Sequence, residues 1–232
     1  MTTSNNATQF QCFVHGLLPD KSLQHVLQRL QILAGNFDFD GDCNLYEHEI
    51  VWHPKVLSLT ENRKRSDDTV LRIRASSYHG QNFIKEDRRE WKLFTQSRPE
   101  PPVLNTDRVR TWNQRAVMES NVEGDIFAYL DMLGYQPAFE YVRRGYQLPI
   151  DALRVCIYRL YKLTLPRKAS SAVPLDDSLE PPWVVEVTSP LTNAMGTTNM
   201  GIMIDRLSGF IRGLVDLIAV DHVAFDNKIK YS

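Results

Sequence analysis

The stretch Leu153-Arg154-Val155-Cys156-Ile157-Tyr158-Arg159-Leu160-Tyr161-Lys162-Leu163 decides the fold. It alternates as a strand does. Leu153, Val155, Ile157, Tyr161 and Leu163 share one face, and Cys156, Tyr158 and Leu160 share the other. Successive side chains of a strand point to opposite sides, so apolar residues on both predict a strand covered on both faces. Glu140 to Leu148 reads as its neighbour, joined to it by a turn near Pro149. Further strands are predicted where the same period recurs: residues 9–17, Leu45 to His53, Val70 to Ala75, Trp91 to Thr95, Val109 to Met118 and Trp183 to Ser189. Leu23, Val26, Leu27, Leu30 and Leu33 recur at helical spacing, with Asp20 as N-cap and Gly35 as C-cap. Ile126, Phe127, Leu130 and Leu133 mark a short second helix that Gly134 ends. A long final element runs from about Thr198 to Val220, with Met203, Leu207, Phe210, Ile211, Leu214 and Ile218 as its buried side. Asp40-Gly41-Asp42 and His79-Gly80 read as turns, Glu61 to Asp68 as a solvated loop, and Pro166 to Pro182 as a polar loop. Six to eight strands joined mostly by turns, with a few helices, argue for an antiparallel β structure rather than βαβ units.

Composition narrows the function classes. The chain has 232 residues, enough for one barrel-sized domain or two small ones. Lys plus Arg number 27 against 28 Asp plus Glu, a formal net charge of -1. That leaves no basic excess with which to neutralise phosphates, so direct DNA binding is not expected. Hydrophobic residues at 43% and charged residues at 24% are globular values. No apolar run reaches the roughly 18 residues of a membrane span; Gly209 to Val220 is broken by Arg212 and Asp216. Residues 1–8 are polar, carry no Lys or Arg, and read as a disordered tail rather than a signal peptide. The three cysteines, Cys12, Cys43 and Cys156, are widely spaced and odd in number, which suggests reduced thiols of the cytosol or nucleus.

Chemistry is sparse. Glu47-His48-Glu49 places two carboxylates on one face of a strand, a pattern suited to a divalent metal, and Arg72 and Arg74 do the same with positive charge on the next strand. Directed into a barrel, the four would line a lumen for metal and phosphate. Triphosphate tunnel enzymes are built that way, on an alternating Glu-x-Glu-x-Lys strand, but Val51 stands here where the Lys belongs. The default reading is the plainer one: all four lie on the solvent side of amphipathic strands and pair across them. Cys12-x-x-His15 offers two metal ligands whose side chains diverge on a strand, with no second pair. Arg63-Lys64-Arg65 is a weak nuclear import signal followed at once by Asp67-Asp68. Trp52, Trp112 and Trp183 are candidate interface anchors, with core packing the default reading of each. No phosphate-loop, dinucleotide or nucleophile motif occurs, so no catalytic, cofactor or metal residue is assigned.

Two stretches carry a resemblance. The first is His15-Gly16-Leu17, the helix ending near Leu33, and Tyr46-Glu47-His48-Glu49-Ile50-Val51. The second, more specific, is Tyr129-Leu130-Asp131-Met132-Leu133-Gly134-Tyr135, then Glu140-Tyr141-Val142-Arg143-Arg144-Gly145-Tyr146, then Leu153 to Leu160. Their order and spacing resemble the Mediator subunit 18 family from about residue 10 to 220, and resemble it least in the loops 54–69, 97–107 and 164–182. The resemblance implies a mainly β (α+β) fold: a single antiparallel β-barrel-like domain of roughly eight strands with a few packed helices, over residues 9–232. It further implies a non-enzymatic transcription coactivator subunit of the Mediator head module, located in the nucleus. Such a subunit pairs with Mediator subunit 20, holds a C-terminal helix of Mediator subunit 8, and bears on RNA polymerase II through the module. The alternative is a divalent-metal-dependent triphosphate tunnel phosphohydrolase using Glu47, Glu49, Arg72 and Arg74. The two readings differ in whether those side chains converge inside a lumen.

Overall fold

A computed structural model of the chain describes residues 8–35, 43–55, 69–77, 89–100, 110–176, 178 and 181–220. The tail 1–7, the Asp40-Gly41-Asp42 and His79-Gly80 turns and the Glu61 to Asp68 loop with Arg63-Lys64-Arg65 lie outside these residues.

Among the described residues nine strands and three α-helices follow in the order β1 (Gln9–Leu18), α1 (Leu23–Ala34), β2 (Leu45–Pro54), β3 (Leu71–Ser77), β4 (Trp91–Gln96), β5 (Asn113–Asn121), α2 (Ile126–Met132), β6 (Tyr135–Ile150), β7 (Leu153–Leu163), β8 (Ala172–Pro174), β9 (Trp183–Thr188) and α3 (Thr197–Ile211). The sheet order is β6-β2-β3-β4-β5-β1-β9-β7-β8, every pairing is antiparallel, and β6 also pairs with β7. That last pairing closes eight strands into a barrel and leaves β8 as a short edge outside it. Closure leaves the eight barrel strands with no free edge to pair with other chains.

The long β6–β7 hairpin is the predicted pair, turned at Asp151, whose φ of 51° is left-handed. Strand β6 begins earlier than the sequence suggests, at Tyr135, with Pro137 inside it. The register against β2 shifts at that point: Val51 faces Phe139 and Trp52 faces Pro137, so Ala138 is extra. A bulge tolerates the proline's missing N–H.

Most of the apolar core lies outside the barrel, and a smaller cluster of Leu45, Cys156 and Tyr158 sits on inward-facing positions. Outward residues of β1, β6, β7 and β9 pack beneath α1 and α3, where Val14, Leu148, Val155, Ile157 and Val187 meet Val26, Leu30, Ile204 and Ile211. Outward residues of β2 and β3, with Ile50, Trp52 and Ile73, pack beneath Ile126 and Leu130 of α2. Trp52 and Trp183 are buried in these layers, and Trp112 packs against the first, as the core reading of the tryptophans requires.

Several local expectations are corrected. Asp20 is not the cap of α1, whose N-cap is Ser22 with no side-chain bond. Asp20 instead accepts from Trp183 Nε1 at 2.8 Å and Arg159 Nη2 at 2.6 Å, tying the start of α1 to the barrel. The final helix stops at Ile211 rather than continuing to Val220, because Gly213 takes a φ of 85°. The chain beyond bridges β1, with reciprocal backbone bonds between His15 and Ile218. Ile218 is consequently exposed rather than buried, and Phe210, within α3, is exposed as well. The 166–182 loop holds the unpredicted strand β8, and β5 begins at Asn113, later than Val109.

Candidate functional site

The register fixes which side chains enter the lumen. Along β2, Glu47 pairs with Ser76 and Arg143, and Glu49 with Arg74 and Tyr141. Cross-strand partners share a face, so Glu47, Glu49, Arg72, Arg74, Tyr141 and Arg143 form one layer. Following the ladders round the barrel adds Arg115 of β5, Gln11, Phe13 and His15 of β1, Glu186 of β9, and Arg154 and Tyr158 of β7. The expectation that Glu47, Glu49, Arg72 and Arg74 face solvent is therefore wrong. Glu47 and Glu49 are 2% and 1% exposed and converge with both arginines inside. The physical reason is the inverted polarity of this barrel. Its apolar strand faces are taken by the helices outside, which leaves the charged faces for the interior.

Desolvated charges must be paired, and the three lumen carboxylates are. Glu49 Oε1 accepts from Arg72 Nη1 at 2.8 Å and from the Tyr141 hydroxyl at 2.7 Å. Its Oε2 accepts from Arg74 Nη2 at 2.8 Å and Nε at 3.1 Å. Glu47 is held by Arg143, by Arg154 Nη2 at 2.7 Å and by Ser76 Oγ at 3.3 Å. Arg143 reaches on to Glu186 Oε2 at 2.9 Å, and Glu186 also lies 3.5 Å from His15 Nε2. Burial alone would raise the Glu47 and Glu49 carboxyls. The guanidinium charges of Arg143, Arg74 and Arg154 on Glu47, and of Arg74, Arg143 and Arg72 on Glu49, outweigh it and hold each at about 2. Glu186 is likewise held well below the carboxylate range: burial opposes this, but His15 and Arg143 prevail.

Every oxygen of the Glu47–Glu49 pair is thus engaged by a cation or a donor. A divalent ion would need to displace two arginines from each carboxylate, so the pair is poorly suited to hold one. Among the described residues no group of three or more His, Cys, Asp or Glu side chains is placed to hold a metal. Cys12 and His15 diverge as expected: Cys12 Sγ contacts Thr197 O at 3.6 Å in the outer core, while His15 enters the lumen. The cysteines form no disulfide, and burial pushes the Cys12 and Cys156 thiols up to about 11 and 12.

The sequence reading missed Arg115, Tyr141, Arg143, Arg154 and Glu186 as lumen residues. A signal existed in Trp183-Val184-Val185-Glu186-Val187-Thr188, where one carboxylate interrupts an apolar run. The layer assembles only through long-range closure, which no local pattern records. Beside it, the lumen opens into a cavity of about 900 Å³ bordered by β1, β4 and β5.

The fold and site define a class: a closed eight-stranded tunnel barrel with an ion-paired interior and helices packed outside. The model of the Med18 protein family matches residues 10–228. The chain belongs to that family, and is thereby a Mediator subunit. No curated protein matches the sequence in a direct search. Among solved structures, a chain of the Schizosaccharomyces pombe Mediator head module is similar at a TM-score of 0.68 and 17% identity, covering 91% of this chain and 98% of that one. The PH1819 protein of Pyrococcus horikoshii OT3 is similar at a TM-score of 0.53 and 12% identity, covering 93% and 97%. At these identities the likeness is one of fold.

Proposed function

We propose that this chain is a non-enzymatic interaction subunit of the nuclear Mediator head module, acting as a coactivator scaffold that pairs with Mediator subunit 20 and receives a C-terminal helix of Mediator subunit 8. The observation that carries the reading is the family match across residues 10–228. The structural likeness to a chain of the S. pombe head module supports it. The saturated carboxylates add a chemical argument, since a divalent-metal-dependent phosphohydrolase built on Glu47 and Glu49 needs them open to the metal, and both are taken by arginines. The surface suits a partner role. Leu17, Met132, Leu133, Phe139, Met195 and Ile218 are each at least half exposed, and Leu17 and Ile218 border an apolar groove with Val184 and Val215. Among the described residues no helix is long and apolar enough to cross a membrane.

The test of the non-enzymatic part is phosphate release from a nucleoside triphosphate with Mg²⁺ or Mn²⁺. No turnover above background is expected. Turnover that disappears in Glu47→Ala would return the protein to the tunnel enzymes.

A further inference from the structure

Between β7 and β8 the chain makes a turn, Thr164-Leu165-Pro166-Arg167-Lys168-Ala169-Ser170-Ser171, that neither the lumen nor the helix layers use. Arg167-Lys168-Ala169-Ser170 sets positive charge three and two residues before a hydroxyl. Kinases with an acidic substrate cleft choose their substrates by that charge pattern. Two serines stand side by side here, and the structure separates them. Ser171 is half-buried and closes the turn: its Oγ accepts from the Leu165 N–H at 3.0 Å and lies 2.7 Å from the Lys168 carbonyl oxygen. Ser170, Arg167 and Lys168 are exposed, and Ala169 between them is buried as the anchor. Arg167 itself is held by surface contacts. Its φ of 62° is left-handed, which is uncommon for a residue with a side chain. Its N–H donates to Glu140 Oε1 at 2.9 Å, and its guanidinium lies over the Phe127 ring, 4.3 Å from the centroid. An exposed cation–π contact is weak, so a kinase carboxylate can draw the guanidinium away. The bonds that close the turn are exposed. Water replaces them readily, and the segment can open into the extended form a kinase cleft takes.

We propose that Ser170 is a phosphorylation site for a kinase of the class that recognises basic residues, with Arg167 and Lys168 as its recognition charges. The γ-phosphoryl group of Mg–ATP passes to Ser170 Oγ. The Oγ–P bond forms, the bond from the γ-phosphorus to the β–γ bridging oxygen breaks, the hydroxyl proton goes to the kinase's catalytic carboxylate, and ADP leaves. A phosphoserine carries a charge of about −1.5 to −2, which cancels the two cations before it. Exposed Leu165, Val173 and Leu175 belong to the same turn and strand. Phosphorylation therefore turns a basic, partly apolar corner of the surface neutral, and an acidic partner surface matched to that corner loses its attraction. The site does not rest on the Mediator reading, which could fail with this site intact.

The experiment incubates the purified full chain with Mg–ATP and the catalytic subunit of cyclic-AMP-dependent protein kinase, and maps the phosphate by mass spectrometry. Arg63-Lys64-Arg65-Ser66 has the same charge pattern ahead of Asp67-Asp68, so Ser66→Ala is carried in parallel. Phosphate on Ser170 is expected in the wild-type chain and in Ser66→Ala. Ser170→Ala should lose it, and Arg167→Gln should lower kcat/KM at Ser170 about tenfold or more by removing one recognition charge. Phosphate on Ser171 in place of Ser170 would overturn the proposal, as would phosphate on Ser66 alone or none on the chain. An unchanged or faster rate at Ser170 in Arg167→Gln would overturn it too, since the site would then be labelled without its recognition charges.

Discussion

Glu49 is the residue on which the interior most depends. Arg72, Arg74 and Tyr141 all donate to it, and its removal takes the acceptor from three half-buried donors at once. Breaking a buried pair by deleting one partner costs about 3–5 kcal/mol, so Glu49→Ala should lower stability by that amount in urea unfolding at neutral pH. The same residue sets a pH signature. Glu47 and Glu49 ionise near 2 in the folded state, against about 4.3 for an unperturbed Glu. As pH falls, the unfolded chain takes up protons first. The stability these carboxylates contribute is complete above about pH 5 and disappears toward pH 2. The wild-type unfolding midpoint should fall steeply across that window, and Glu49→Ala should show a shallower fall. A variant as stable as wild type, with an unchanged pH profile, would contradict the ion-pair account.

At the scale of elements, closure depends on Gly145. It faces Leu45 of β2 and Tyr158 of β7 at the seam where β6 joins both neighbours. A Cβ there would stand 2.0 Å from the Ile157 carbonyl oxygen and 2.7 Å from Tyr158 Cα. Both are backbone atoms that cannot rotate aside. Gly145→Ala should destabilise by about 3 kcal/mol or more through overpacking. Gly209→Ala in α3, where nothing lies within 4 Å, should stabilise by about 0.5–1 kcal/mol through helix propensity. Thermal unfolding of the two variants checks both signs. The elements themselves were largely legible. The alternation of Leu153 to Leu163 marked a strand covered on both faces, and the leucine stripe marked α1. Boundaries failed where tertiary structure overrode local pattern: Asp20 turned from capping to Trp183 and Arg159, Pro137 was absorbed by a bulge, and α3 ended at Ile211. The orientation of Glu47 and Glu49 was not legible at all. Alternation divides a strand into two faces without saying which is inside, and here the helices claim the apolar one.

For the whole molecule, the inverted barrel separates two tasks. The paired lumen and its flanking apolar layers hold the fold, while the exterior keeps bulky apolar side chains in water, among them Met195 at 87%, Met132 at 84% and Ile32 at 77% exposed. An obligate partner interface covers such surface over more than about 2,000 Å², and a partner that binds only the folded form raises its melting temperature by mass action. The central claim, that this chain works by assembly, is tested most directly by size-exclusion chromatography with light scattering on the chain alone, co-expressed with Mediator subunit 20, and further supplemented with the subunit 8 helix. The account predicts self-association alone, a 1:1 complex with subunit 20, and a ternary species with the helix. A stable monomer that ignores both partners at tens of micromolar would contradict it.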